Sequence, residues 1–274
     1  MTTLLAGPFV GEFGYELFAF QGHVRAMSRD FDSTIVYSRQ ESRHLYDDFV
    51  NKFVPVDVGS YNCDRFDCIS GGKVHEPMWP DGIVTNFRVS NKGKTMAQLK
   101  ALDRHVPPEY VKYGSGKHNG YVVVHARAIS EGNAHKRSRN WSGENWCSLV
   151  SMLLNEGHNL VCVGSKQQSI ALDGCQDLRG IELHKLCDIL SGADCILGPS
   201  SGPMHLATLC GCPQLVWSYS RNRMRYEQEW NPFSTPVCFY DRGDFDPTAY
   251  EIYQAFDMCM EDGFDVANNH YRWI

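Results

Sequence analysis

The turn Gly198-Pro199-Ser200-Ser201-Gly202-Pro203 gathers two hydroxyls and a glycine between two prolines. Small residues let a backbone approach a phosphate closely, and a helix beginning at such a turn offers free N–H groups and a partial positive charge to an anion. Pro203 suits the first helical turn, where its missing N–H costs nothing. The turn reads as a diphosphate cradle, or more plainly as a β-to-α turn with a serine N-cap. Upstream, the loop 128–141 concentrates Lys136, Arg137 and Arg139, and His125-Ala126-Arg127 precedes it. Guanidinium groups bind phosphate bidentately and stay charged, so a pyrophosphate leaving group is their natural ligand. A third piece of chemistry sits near the N-terminus, where Gly11-Glu12-Phe13-Gly14 carries one carboxylate between glycines. A carboxylate there repels pyrophosphate but can take a proton from a hydroxyl nucleophile. Glu16 is its rival for that role, and a helix-dipole partner is the structural alternative for Glu12.

These residues need elements to position them. Leu183, Leu186, Ile189 and Leu190 recur at helical spacing, 193–197 is a short apolar strand, the turn opens a helix to about Cys210, and 214–219 is again a strand. Such α-β-α-β order builds a parallel sheet covered by helices, with ligands beyond the C-terminal strand ends. In the N-terminal half, 3–10, 34–37 and 53–58 read as strands, alternating with helices over 15–28 and 41–49. Residues 59–91 read as loop with a short strand at 83–87, and 94–105 as a helix ended by Pro107-Pro108. Tyr113 to Gly120 is small and polar, as a linker is, and 121–124 and 160–163 restart the sheet, with Ser142 capping the helix between them. The expected fold is therefore α/β, two Rossmann-like doubly wound domains facing a cleft: 1–116 on the acceptor side, 117–250 holding the donor, and 251–274 packing back across both.

The motifs carry a resemblance. Gly198 to Ala207, GPSSGPMHLA, is similar to the G-N-D-S-G-P-M-H-L-A segment of the bacterial ADP-heptose:lipopolysaccharide heptosyltransferases, with Ser200 where that family usually has Asp. Those enzymes have the GT-B fold, and the resemblance implies that Ser200, Ser201, Gly202, Met204 and His205 face a nucleotide sugar. Arg139-Asn140-Trp141 with Glu144-Asn145-Trp146 resembles the family's K-H-W-x-x-E-N-W, which puts Arg139 on a phosphate-binding Lys. Gly11-Glu12 followed by Leu17 to Phe20 is similar to G-D-x-x-x-x-L-P-A-L, which puts Glu12 on the proposed catalytic Asp. His125-x-Arg127 also resembles the H-x-R of GDP-fucose-using transferases, in which the Arg meets the donor diphosphate. The two resemblances imply different nucleotides, so the base stays open.

The acceptor is assigned by position. Phe13, Tyr15 and Glu16 flank the first loop, and Arg223, Arg225 and Tyr226, with Trp230 nearby, form a basic aromatic cluster after a strand. The net charge of −6 excludes binding nucleic acid by bulk charge, which favours a saccharide or glycolipid precursor over a hydroxymethylated pyrimidine in DNA. The arginine and aromatic cluster is what keeps the DNA acceptor, of the phage-encoded type, as the alternative. Neither a signal peptide nor a membrane span is visible, so a cytoplasmic location is expected. The 11 cysteines sit mostly in apolar strands and helices and read as reduced, buried thiols; Cys63 and Cys68 lack a second pair for zinc. Asp241, Asp244 and Asp246 suggest a metal-binding D-x-D, but Asp246 is better placed to cap the helix over 248–260, and no metal or cofactor is expected. A sugar-nucleotide epimerase or hydrolase and a non-catalytic sugar-nucleotide sensor are the rival readings of the same fold.

Overall fold

A computed structural model describes residues 3–7, 9, 12–56, 83–85, 88–89, 95–96, 107–130 and 138–271. The chain divides into two compact units, Met1–Tyr110 and Val111–Ile274. The first holds strands β1 (Thr3–Ala6), β2 (Ser33–Ser38), β3 (Lys52–Pro55) and β4 (Ile83–Thr85) in one parallel sheet of order β3-β2-β1-β4. Strand order reverses beside β1, so the loop after β1 lies at the unit's topological switch point. Helix α1 follows that loop. It runs through Phe13–Tyr15, a π-helical stretch Glu16–Gln21, and Gly22–Ser28. Its apolar residues, Leu17, Phe18, Phe20, Val24 and Met27, are buried, as are Leu4 and Leu5 of β1.

The expected helix over 41–49 is a 3-10 helix at Gln40–Leu45, whose Ser42 and Tyr46 turn inward to polar partners and so break the apolar periodicity of an α-helix. Within 94–105, expected to be helical, Thr95–Met96 (β6) pairs antiparallel with Arg88–Val89 (β5); the rest lies outside the described residues. So do Cys63, Cys68 and Lys136.

The second unit carries a six-stranded parallel sheet. In chain order it comprises β7 (Val122–Val124), β8 (Leu160–Cys162), β9 (Gln176–Asp177), β10 (Cys195–Pro199), β11 (Gln214–Trp217) and β12 (Val237–Tyr240), arranged β12-β11-β10-β7-β8-β9. The order reverses between β7 and β10. Both strands are buried along their whole length, which is why they read as unbroken apolar runs. Four longer helices cover the sheet: α2 (Gly143–Asn155), α3 (Leu183–Ser191), α4 (Gly202–Cys210) and α5 (Ala249–Asp262), with the shorter α6 (Phe264–Tyr271) at the end. Ser142 caps α2 as expected, accepting from Asn145 N at 3.1 Å. Helix α5 is capped by Thr248 rather than Asp246: its hydroxyl accepts from Glu251 N while the Glu251 carboxylate accepts from Thr248 N, a capping box.

One expectation about a connection is corrected. Residues 113–120 are not a loose linker, because Tyr113 N, Gly116 N and Asn119 N donate to Leu209 O, Ser191 Oγ and Gly192 O of the second unit. The C-terminal helices pack on the second unit's own elements, α5 against α2 and β11, α6 against β12. The nine described cysteines are all free, and Cys162, Cys187, Cys195 and Cys210 are buried.

Candidate active site

The C-terminal ends of β7 and β10, the two strands flanking the switch point, bring together most of the second unit's candidates. Beyond β7, His125 is buried, and its Nδ1 lies 3.0 Å from Val163 O. A carbonyl only accepts, so Nδ1 carries the proton and Nε2 is left as an acceptor. Burial pushes this imidazole down to about 4, with the Arg127 charge adding to the effect. Gly164 makes the packing feasible: its φ is +123°, and a Cβ there would stand 2.8 Å from His125 Nδ1 and from Ser169 Oγ. Arg127 is buried too, and its guanidinium donates to Asn140 Oδ1. That same oxygen accepts from Ile129 N at 3.1 Å, while Asn140 Nδ2 donates to Ile129 O at 2.9 Å. Asn140 thus fastens Arg127 and Ile129, a role no local spacing reveals because these partners lie thirteen and eleven residues away.

Beyond β10, Ser200 N donates to Trp217 O at 3.1 Å and Ser201 stands at the N-cap of α4 in extended conformation, with no side-chain capping bond. The plainer reading of the turn, a serine spent on capping, is therefore not what the side chain does. Among the described residues, Ser201 Oγ, His205 Nδ1 and Arg139 Nε are buried atoms with no hydrogen-bond partner. Leaving such groups unmade costs about 1–3 kcal/mol each, so they mark a place built for a partner. His205 is sandwiched, stacked on Tyr226 at 4.5 Å and edge-on to Trp230 at 4.7 Å. Burial holds its imidazole well below the ordinary range, and the charges of Arg225 and Arg139 push it further down. Gly198 lets Met204 and the end of β7 pack close to β10, since a Cβ there would approach Met204 Sδ to 3.1 Å and His125 O to 3.2 Å.

The acceptor assignments fare differently. Tyr226 is wholly buried, donating to Ser200 Oγ at 2.9 Å, so it supports the turn from beneath and presents no stacking surface. Arg223 is spent inside the unit, on Glu227, Asp241, Asn268 Oδ1 and Phe239 O. Trp230 is buried as well. The basic aromatic cluster that kept a DNA acceptor open is thus largely interior, for the physical reason that alternating Arg and aromatics also pack stem to ring.

In the first unit, Glu12 is the N-cap residue of α1. Its carbonyl accepts from Tyr15 N and Glu16 N at 3.0 and 3.1 Å, and its carboxylate makes no capping bond. Phe13 and Tyr15 beside it are half-buried. Glu16 is corrected from candidate base and acceptor contact to anchor: wholly buried, it accepts from Ser38 Oγ, from Ser42 Oγ at 2.7 Å and from Tyr46 OH at 3.0 Å, with Arg39 at 3.4 Å. It ties α1 to the end of β2.

With this geometry in place, residues 112–221 match glycosyltransferase family 9 (heptosyltransferase). The chain is similar to heptosyltransferases. Among solved structures, Escherichia coli ADP-heptose lipopolysaccharide heptosyltransferase II superposes with a TM-score of 0.61 at 14% identity, over 96% of this chain and 99% of that one. The E. coli heptosyltransferase WaaC with ADP gives 0.58 at 12% identity over 94% and 99%. A family 9 glycosyl transferase from Veillonella parvula gives 0.56 at 11% over 95% and 96%. At such identities the likeness shows the fold, two parallel-sheet α/β units of the GT-B type. No curated protein matches by sequence. The matched segment spans β7 to the start of the loop after β11, and so includes His125, Arg127, Arg139 and the 200–205 turn.

Proposed function

We propose that this heptosyltransferase-like protein is a glycosyltransferase that moves a sugar from a nucleoside-diphosphate donor to a hydroxyl group of a saccharide or glycolipid precursor. The observation that carries the reading is the group of buried, unpartnered polar atoms, Ser201 Oγ, His205 Nδ1 and Arg139 Nε, at the strand-switch point of the unit that matches the family. In the reaction, the bond between the anomeric carbon and the diphosphate oxygen breaks, the acceptor oxygen bonds to that carbon, and its proton passes to Glu12. Negative charge grows on the departing diphosphate. Arg139, the Ser201-Gly202 turn and His205 then stabilise it, and such preorganised donors act most strongly where charge develops. Arg127, fastened by Asn140, adds a fixed positive charge beyond β7. No helix among the described residues is long and apolar enough to cross a membrane.

Calorimetry with ADP, GDP and UDP tests the donor site. Arg139→Ala should weaken binding of the preferred diphosphate by about 1.5–3 kcal/mol, the range of a charge-assisted hydrogen bond. Unchanged affinity would remove Arg139 from the site. Turnover of nucleotide sugar with no acceptor present would instead point to an epimerase or hydrolase.

A further inference from the structure

Ser200 in the turn after β10, His205 on α4 and Tyr226 in the π-helical stretch Arg225–Glu229 join in one hydrogen-bonded row. Tyr226 OH lies 2.9 Å from Ser200 Oγ and 3.4 Å from His205 Nε2. The Tyr226 ring stacks on the imidazole at 4.5 Å, while Trp230, with the Arg225 guanidinium 4.4 Å from its centroid, meets the imidazole edge-on at 4.7 Å. All three members of the row are buried, Tyr226 completely. The other imidazole nitrogen, Nδ1, has no hydrogen-bond partner among the described residues, although His205 is only 6% exposed. His205 N donates to Ser201 O at 3.1 Å, so the imidazole belongs to the first turn of α4, where Ser201 Oγ also has no partner among the described residues.

Burial keeps the imidazole neutral, so one of its nitrogens donates and the other accepts. Hydroxyl protons rotate to suit their partners, and the row can therefore run in two senses. If Tyr226 gives its proton to Ser200 Oγ, Nε2–H donates to the Tyr226 oxygen and Nδ1 is a bare lone pair. If Ser200 gives its proton to Tyr226, the Tyr226 proton goes to Nε2 and Nδ1 carries the hydrogen. An ionised diphosphate offers only acceptors, so it meets a donor at Nδ1 in the second sense alone. Ser200 Oγ is satisfied by Tyr226 in both senses, whereas Nδ1 is satisfied only by a ligand.

We propose that Tyr226 is a positioning residue for donor binding: taking a proton from Ser200 and giving its own to His205 Nε2, its hydroxyl fixes the imidazole tautomer that presents Nδ1–H to the donor diphosphate. The inference rests on the reading that the diphosphate lies on the Ser200-Gly202 turn, and it replaces the assignment of Tyr226 to the acceptor. No net proton is taken up, because one leaves Nε2 as another reaches Nδ1 and the two hydroxyls turn about. The hydroxyl at position 200 is what permits this sense, since an ionised carboxylate there could only accept.

The test joins calorimetry on the full chain with ADP, GDP and UDP to nitrogen-15 NMR of labelled histidines, which tells Nδ1–H from Nε2–H imidazole. The His205 signal is the one missing from His205→Phe. With the preferred diphosphate bound, His205 should carry its proton on Nδ1. Tyr226→Phe keeps the ring and its stacking and loses only the hydroxyl, so affinity should fall about tenfold, the worth of one hydrogen bond to a charged group, and the proton should return to Nε2. In a His205→Phe background the same change should cost less than about twofold, because the hydroxyl acts only through the imidazole. Ser200→Ala leaves Tyr226 in place and should weaken binding in the same direction, which provides a second variant should Tyr226→Phe melt below the assay temperature. Bound His205 protonated at Nε2, a well-folded Tyr226→Phe that binds as the wild type does, or an equal loss in the His205→Phe background overturns the row while leaving the donor site standing. A wild-type chain that binds none of the three diphosphates overturns the donor site and the row with it.

Discussion

At the scale of single residues, two side chains lend themselves to direct measurement. Glu12 caps α1 with its backbone, which leaves its carboxylate out of the capping bonds. Glu12→Gln keeps the shape but cannot take a proton, so transfer should fall on the order of 100-fold while affinity for the nucleoside diphosphate barely changes. Loss of donor binding with turnover per bound enzyme preserved would make Glu12 a structural residue. His125 reports through pH. Its folded imidazole is depressed to about 4 from 6.5, so the unfolded chain takes up a proton at a pH where the folded one does not. The contribution is therefore fully present above the unfolded value and is lost as pH falls from about 6.5 towards 4, by about 2 kcal/mol at pH 5. Urea midpoints measured between about pH 7 and pH 5 should fall. Removing the imidazole as His125→Gln should flatten that slope even though the variant starts less stable, having lost the bond to Val163 O. A slope as steep as the wild type's would assign the titration to another group, and His205, shifted in the same direction, is the next to substitute.

At the scale of elements, legibility in the sequence follows burial. β7, β10 and β11 were readable because strands buried on both faces leave apolar runs with sharp polar ends, and those ends are where the site lies. The turn before α4 was readable for a different reason: few local conformations use Ser-Ser-Gly-Pro other than a β-to-α entry. What local pattern missed was which polar residues turn inward. Glu16 occupies an amphipathic helix one turn from Glu12, and nothing local shows that Ser38, Ser42 and Tyr46, more than twenty residues on, supply its hydrogen bonds. Tyr226 and Arg223 failed in the same way. Both sit in a polar stretch, and each has a partner at least 16 residues distant in sequence that no local pattern shows, Ser200 for the one and the Phe239 carbonyl for the other. Asn140 was visible as part of a motif, but its fastening of Arg127 and Ile129 needs the folded loop. Thr248 is the exception that spacing could have found, because Thr-x-x-Glu before an apolar run is a capping box.

At the scale of the whole molecule, the donor machinery proposed here, His125, Arg127, Arg139 and the 200–205 turn, belongs entirely to Val111–Ile274. That unit has its own core. Trp141, Trp146 and Trp217 meet ring to ring at 4.8–5.6 Å, and Ile252, Phe256, Phe264 and Tyr271 from the last two helices join them in one buried cluster with β7, β8, β10, β11 and β12. A chain of roughly 150 residues can bury enough surface to fold alone. Residues 113–120, bonded to Leu209, Ser191 and Gly192, belong to it as well, so a cut at 111 preserves those bonds whereas one after 116 removes two of them. Val111–Ile274 expressed by itself should unfold in urea as a single cooperative transition, followed by the fluorescence of its tryptophan cluster. It should also bind its preferred nucleoside diphosphate within about threefold of the full chain, since every proposed phosphate ligand is retained. It should transfer no sugar, because Glu12 is absent. A cooperative fold that binds no diphosphate would mean that the first unit contributes to the donor site, and an uncooperative transition would mean that the tryptophan core does not suffice without the first unit.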